Sequence, residues 1–169
     1  MKPTSTAVLL ANDGDRPDPA VARTACDLAH RLGARLFVVH VAQLPEPASG
    51  AAMPSKIPAY AVLATLVAQC ASAGGLVTRA NLRLGAADRE ILDEAAEVGA
   101  GLIVISGRHC GAAQCQQGDE LGERLGRQAS CPVLIVRDDE PGTCRAGLTI
   151  GGTGAIQPPH AEVRRAVAG

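Results

Sequence analysis

Short apolar runs alternate along the chain with longer stretches in which apolar positions recur every three or four residues. Val8-Leu9-Leu10-Ala11 is a continuous apolar run, the pattern of a strand buried on both faces. It stops at Asn12-Asp13-Gly14-Asp15, a cluster of turn-forming residues. Asp18-Pro19 then supplies a helix N-cap followed by proline at the first helical position. Val21, Ala25, Leu28 and Leu32 repeat at helical spacing, and Gly33 is placed to close the helix. Arg35-Leu36-Phe37-Val38-Val39-His40-Val41 follows as a second strand rich in β-branched residues.

Residues 43–58 carry Pro45, Pro47, Pro54 and Pro58 among Ser and Gly, an irregular connection. The pattern then predicts a helix from about Ala59 to Ala73, ending at Gly74-Gly75. Leu76 to Leu84 alternates, with Val77, Arg79, Asn81 and Arg83 set against Thr78, Ala80, Leu82 and Leu84, as in a strand nearer an edge. Asp88 to Val98 reads as an amphipathic helix, with Ile91, Leu92, Ala95 and Val98 facing inward. Its outward face is assigned Asp88, Arg89, Glu90, Asp93, Glu94 and Glu97. Leu102-Ile103-Val104-Ile105 is a fourth, buried strand, and the glycine-containing stretch Ser106 to Gly118 is a loop. A helix from about Asp119 to Ala129 and a last strand, Pro132-Val133-Leu134-Ile135-Val136, complete the pattern.

Strands and helices thus alternate throughout, which predicts a three-layer α/β sandwich around a mainly parallel sheet with right-handed crossovers. In such folds ligands bind beyond the carboxyl ends of the strands, where strand order reverses. The first and fourth strands end at Asp13-Gly14 and Ser106-Gly107, so these two loops are the candidate cleft. After Arg137 the pattern fails: Pro141-Gly142, Gly151-Gly152, Gly154 and Pro158-Pro159 occur with few large apolar residues. The expected organisation is a domain over residues 1–137 and a loosely held tail over 138–169, with a short helix near Ala161 to Val167. The Gly-Gly-Thr-Gly run in that tail lacks the strand–turn–helix context of a phosphate loop.

Composition narrows the function classes. The chain has 169 residues, 47% of them hydrophobic, which fits one compact domain with chain to spare but not two domains. Sixteen basic against 17 acidic residues, with no basic run, argue against a nucleic-acid backbone binder. Phe37 and Tyr60 are the two aromatic residues, too few for a base-stacking surface. The core must therefore be built from Ala, Val, Leu and Ile.

Ala7 to Ala11 is too short for the core of a signal peptide. Ile57 to Thr78 contains no charge, but Pro58, Gln69, Ser72, Gly74, Gly75 and many alanines dilute it, so no membrane span is expected there. A helix apolar nearly all round needs cover on more than one side, either from the proline-rich segment before it or from another subunit. The six cysteines, Cys26, Cys70, Cys110, Cys115, Cys131 and Cys144, read as reduced thiols of a cytoplasmic protein. His109-Cys110 and Cys115 share one loop, but their spacing fits neither zinc nor a thioredoxin-type motif, so no metal is expected. A thiol redox sensor using Cys110 and Cys115 is an alternative reading of that loop. His40 falls on a buried strand as a hydrogen-bonded core residue, and His30 on a solvated helix face. No nucleophile–base pair for hydrolysis stands out, so the chain reads as a binding module rather than an enzyme.

The residues from about 7 to 137 resemble the universal stress protein family. Val8-Leu9-Leu10-Ala11-Asn12-Asp13-Gly14 is similar to the family's first strand and its Asp-Gly turn. Leu32-Gly33-Ala34-Arg35-Leu36-Phe37-Val38-Val39-His40-Val41 is similar to its second strand and the preceding helix end. The most specific stretch runs from Ala95-Ala96 through Leu102-Ile103-Val104-Ile105 to Cys131-Pro132-Val133-Leu134-Ile135-Val136-Arg137. The resemblance implies a five-stranded parallel sheet of the adenine nucleotide alpha hydrolase-like kind and a cytoplasmic stress-response role. It also implies a homodimer paired through the last strand. An apolar Val133–Val136 edge would need such cover.

The family's ATP signature is a glycine, a second glycine after two residues, and after nine more a glycine followed by Ser or Thr. Glycines let the backbone approach phosphate, and the hydroxyl and free amides of the next helix bind it. Without gaps, Ser106, His109, Asp119 and Glu120 fall on those positions, and none matches. Asp119 and Glu120 in a first helical turn complement the helix dipole themselves and repel a triphosphate. The expectation is therefore a stress-linked regulatory or binding module of the branch without ATP, with no cofactor, no nucleic acid and a protein partner still to be named. The alternative is a binder of ATP or another adenine nucleotide, with little or no hydrolysis. It would use Asp13, Gly14, Val41, Gly107 and Gly118 through a shifted loop.

Overall fold

The computed structural model describes residues 6–43, 56–107, 116–139 and 143–149. Along the chain lie β1 (Ala7–Asn12), α1 (Pro19–Leu32), β2 (Arg35–Ala42), α2 (Ile57–Ser72) and β3 (Val77–Leu84). They are followed by α3 (Ala87–Val98), β4 (Ala100–Gly107), α4 (Gln116–Gln128), β5 (Val133–Asp139) and β6 (Thr143–Thr149). The sheet order is β3-β2-β1-β4-β5-β6. The five strands read from the sequence are parallel, and β6 joins β5 antiparallel.

The period-2 pattern of the strands divides the core into two layers. Val8, Leu10, Val38 and Val104 face α1 and α2, where Val21, Ala22, Ala25, Leu63 and Leu66 meet them. Leu9, Ala11, Val39, Ile103 and Ile105 face α3 and α4, packed by Ile91, Ala95, Leu121 and Leu125. In α1, the Ala20 amide donates to Asp18 Oδ1 at 2.8 Å and Gly33 takes φ +60°, as its caps predict. Leu32, expected inside, is exposed, and the small residues Ala22, Cys26 and Ala29 hold the helix against the sheet instead. In α4 a Cβ on Gly122 would run into Ile135 Cδ1, so glycine there permits a close approach to β5.

The inner side of α2 is Ala59, Leu63, Leu66 and Cys70, while Ile57 and Tyr60 are exposed. Residues 44–55, most of the proline-rich segment that is one of the two expected covers for its outer side, lie outside the described residues. No helix among the described residues is long and apolar enough to cross a membrane.

Three further sequence expectations are corrected by the helix α3 and the chain end. Glu94, assigned to the solvated face of α3, is 1% exposed. It sits on the same stripe as Ile91, Ala95 and Val98 and meets the polar side of the edge strand β3. Arg79 Nη2 donates to Glu94 Oε1 at 2.8 Å, while Asn81 Nδ2 and Arg83 Nε donate to Oε2 at 2.9 and 2.6 Å. Arg83 also bonds Glu97 and reaches Glu90 at 3.3 Å. Burial alone would raise the Glu94 carboxyl, but the bonds from Arg83, Arg79 and Asn81 outweigh it and hold the carboxyl below the usual range. The hydrogen bond to Glu97 is the main cause that holds the Arg83 guanidinium above its ordinary value, supported by Glu94 and Glu90 against burial.

The second correction concerns the chain end. Asp138-Asp139 extend β5, and Thr143–Thr149 form β6, both within the range read as tail. An extended ladder recruits strand through its free N–H and C=O groups, which needs no apolar alternation in the recruited segment. Residues 150–169, including the short helix expected at 161–167, lie outside the described residues. The third correction follows from the second. Val133–Val136 is not an edge, because β5 lies between β4 and β6.

A carboxylate held below its ordinary value contributes stability that is complete above the unfolded value and is lost as pH falls through the folded one. The parent is therefore expected to lose stability as pH drops below the ordinary 4.5 of that carboxyl, and Glu94→Gln to lose less over that window. At neutral pH the substitution should cost on the order of 2 kcal/mol, less than a fully buried pair because Arg79 reaches solvent. Urea midpoints of the two proteins across the acid range check both.

Candidate functional site

Strand order reverses between β1 and β4, since the chain runs β1-β2-β3 outward on one side and returns to β4 on the other. The two carboxyl ends there, Asn12-Asp13-Gly14 and Ser106-Gly107, line the crevice that the topology leaves open. Asp13, Gly14 and Ser106 are half-buried and Gly107 is buried.

The turn after β1 is anchored by a pair the sequence reading did not single out. Asn12 and His40 are register partners across β1 and β2, 8% and 2% exposed. Asn12 Nδ2 donates to the Gly14 carbonyl at 2.6 Å and lies 3.1 Å from His40 Nδ1. The same ring nitrogen is 3.0 Å from the Asn12 carbonyl, so one tautomer accepts from the side chain and the other donates to the backbone. His40 is thus the hydrogen-bonded core residue expected of it, and its partner fixes where Asp13 and Gly14 stand. The signal was present as an Asn at the end of one buried strand and a His near the end of the next, two polar groups needing each other. His30 is exposed on α1, as expected.

The remaining candidates separate. Val41 is 0% exposed in the core layer under α3 and α4, so its side chain offers a ligand no surface. Gly107 is the last residue of β4 and is paired with Arg137 of β5. Gly118, read as a loop residue, lies inside the first turn of α4, which begins at Gln116 rather than Asp119. Gln116 and Gln117 are good helix formers and extend the helix ahead of the glycine. Asp119 and Glu120 follow directly. His109, Cys110 and Cys115 lie outside the described residues.

Beside the anchored turn is an open hollow of about 400 Å³ lined by Asp15, Arg16, Pro17, Ala61, Val62 and Thr65. Gln69 of α2 braces this region, its Nε2 donating to the Pro17 carbonyl at 3.1 Å while Oε1 is buried without a partner. Among the described residues no group of three His, Cys, Asp or Glu side chains is arranged to hold a metal. Cys26, Cys70 and Cys131 are free and buried. Burial, with Cys26 beside it, pushes the Cys70 thiol up to about 12. Burial also raises Cys26 and Cys131.

The profile of the Universal stress protein family matches residues 5–137. The chain belongs to the universal stress protein family. A protein of that family from Burkholderia pseudomallei is 26% identical, covering 80% of this chain and 98% of its own at a TM-score of 0.58. A universal stress protein from Archaeoglobus fulgidus is 23% identical over 77% of this chain and 97% of its own, at a TM-score of 0.61. One solved in complex with cAMP is 22% identical over 78% of this chain and 96% of its own, at a TM-score of 0.60. The latter two likenesses speak to the fold. No curated protein matches the chain. Within this universal stress protein fold, the crevice built above is the β1/β4 switch point.

Two outcomes test this geometry. Asn12→Ala leaves the Gly14 carbonyl and His40 short of a partner and should cost about 1–3 kcal/mol in chemical denaturation. Cys26, Cys70 and Cys131 should resist iodoacetamide in the native protein and react fully once it is unfolded, because buried thiols with raised values hold little thiolate.

Proposed function

We propose that this universal stress protein is a non-enzymatic regulatory or binding module of a stress response, and that its β1/β4 crevice does not hold ATP. The observation that carries this reading is the opening of α4. A helix N-terminus attracts phosphate through its free amides and dipole. Here Asp119 and Glu120 follow Gly118 directly, as the fourth and fifth residues of α4, so two acidic residues stand close to the helix end that a terminal phosphate would approach. Each such charge opposes a phosphate by on the order of 1 kcal/mol near a partly exposed site. Gly107 is held in the β4–β5 ladder and Gly118 in the helix, so bringing either into the signature's spacing requires breaking regular structure.

The absence of catalysis is part of the proposal. His40 is the described imidazole nearest the crevice, and it is enclosed and engaged by Asn12. A group so placed is poorly suited to take a proton from bound water. A cytoplasmic location and a protein partner accompany this reading.

A second reading keeps a nucleotide with fewer phosphates. It is favoured by the anchored Asp13–Gly14 turn, which is a rigid platform independent of α4. The relative solved with cAMP gives a precedent on the same fold. Such a ligand would meet Asp13, Gly14 and the main chain of Val41, with aliphatic rather than aromatic walls.

Equilibrium dialysis with labelled ATP should show no saturable binding, and saturation at low micromolar concentration would overturn the first reading. Under the second, AMP or cAMP should raise the melting temperature of the parent and leave Asp13→Ala unmoved. No rise in the parent would end it.

A further inference from the structure

Cys26, Cys70 and Cys131 are the free cysteines among the described residues. Cys131 belongs to the core layer under α3 and α4, while Cys26 and Cys70 lie together in the opposite layer. Cys26 is on the inner side of α1 and Cys70 in the last turn of α2, 5% and 0% exposed. The Cys26 thiol donates to the Cys70 carbonyl at 3.7 Å, and the two thiols stand within hydrogen-bonding reach of each other. The backbone after α2 shapes this contact. The Ala73 and Gly75 amides donate to the same carbonyl at 3.1 and 2.9 Å. A Cβ on Gly75 would run into Cys26 Sγ, so glycine there leaves the room that the thiol occupies.

The two sulfurs are not equivalent. Burial raises both thiols, but a hydrogen bond from Cys70 favours a Cys26 thiolate, whereas Cys26 raises Cys70 further. Cys26 also has the greater exposure, which makes it the attacking sulfur and Cys70 the resolving one. Access comes through α2, where four of sixteen residues are buried, so little apolar contact opposes a local opening. The same helix braces the turn ahead of α1 one residue earlier, through Gln69 Nε2 and the Pro17 carbonyl. The hollow lies between these elements, with Asp15, Arg16 and Pro17 on one wall and Ala61, Val62 and Thr65 on the other.

We propose that Cys26 and Cys70 form a peroxide-driven dithiol–disulfide pair that staples α2 to α1 and fixes the two walls of the hollow. The Cys26 thiolate attacks one oxygen of hydrogen peroxide and the O–O bond breaks. A sulfenic acid forms, and the departing hydroxide takes up the proton that Cys26 released, giving water. The Cys70 sulfur then attacks the Cys26 sulfur, and the hydroxyl leaves with the Cys70 proton as a second water. Both sulfurs are oxidised, the S–S bond closes, and one peroxide is reduced to two waters. Buried thiols hold little thiolate, so the pair answers to sustained oxidant rather than to a brief pulse.

Treating the folded full chain with hydrogen peroxide, then unfolding, alkylating and digesting it, tests this by mass spectrometry. A cross-linked Cys26–Cys70 peptide should accumulate. Recovery of both residues as alkylated thiols, or as sulfinic acids without the cross-link, would overturn the proposal, as would a cross-link that forms only in denaturant. In Cys70→Ala, dimedone should trap a Cys26 sulfenic acid that the parent resolves; equal trapping in the two proteins would also contradict it. Amide exchange at Gln69 and Cys70 should be roughly tenfold or more slower in the oxidised chain than after reduction with dithiothreitol. Equal exchange would show that the bond does not hold α2 in place, and would overturn the staple.

Discussion

Every residue of β1 from Ala7 to Asn12 is buried, and β2 and β4 occupy both of its hydrogen-bonding sides. A strand so enclosed forces the rest of the architecture. Both faces of the sheet need helices, which only crossover connections supply to a parallel sheet. With β2 and β3 laid to one side and β4 and β5 to the other, the carboxyl end of β1 becomes the place where the chain parts. The Asp13–Gly14 turn stands there, tied down by Asn12 and His40.

The two sides of the sheet end differently. At β3 the polar alternation of Arg79, Asn81 and Arg83 closes over a buried carboxylate on α3, so the edge carries charge that discourages further pairing. At β5 the run is apolar and charge offers no such protection. There the chain returns on itself and adds a strand of opposite sense. One edge is guarded by side chains, the other by backbone.

What the sequence revealed follows from which of these devices leaves a pattern. Continuous apolar runs identified β1, β2, β4 and β5, and alternation identified β3 as an edge. The caps of α1 were readable from Asp18-Pro19 and Gly33 because cap chemistry is local. Glu94 was misplaced because polarity was weighed above position. Its helical spacing from Ile91 and Val98 put it on the inner stripe, facing two arginines that alternate toward it. β6 was not legible, since a strand recruited by backbone hydrogen bonds needs no apolar period and Gly147 and Arg145 disguise it. At the crevice, Asp13-Gly14 and Ser106-Gly107 were located from topology alone. The burial of Val41 and the helical setting of Gly118 depend on how α3 and α4 close over the sheet, which no local spacing specifies.

We propose that Asp119 and Glu120, close to the start of α4, keep ATP out of the β1/β4 crevice while Asn12 and His40 hold its Asp13–Gly14 turn in place. Amide resonances followed by NMR during titration with ATP test it residue by residue. The account predicts no saturable shifts at Asp13, Gly14, Ser106, Gly107 or the first turn of α4. Saturable shifts shared by the Asp13–Gly14 turn and residues 116–120 would contradict it.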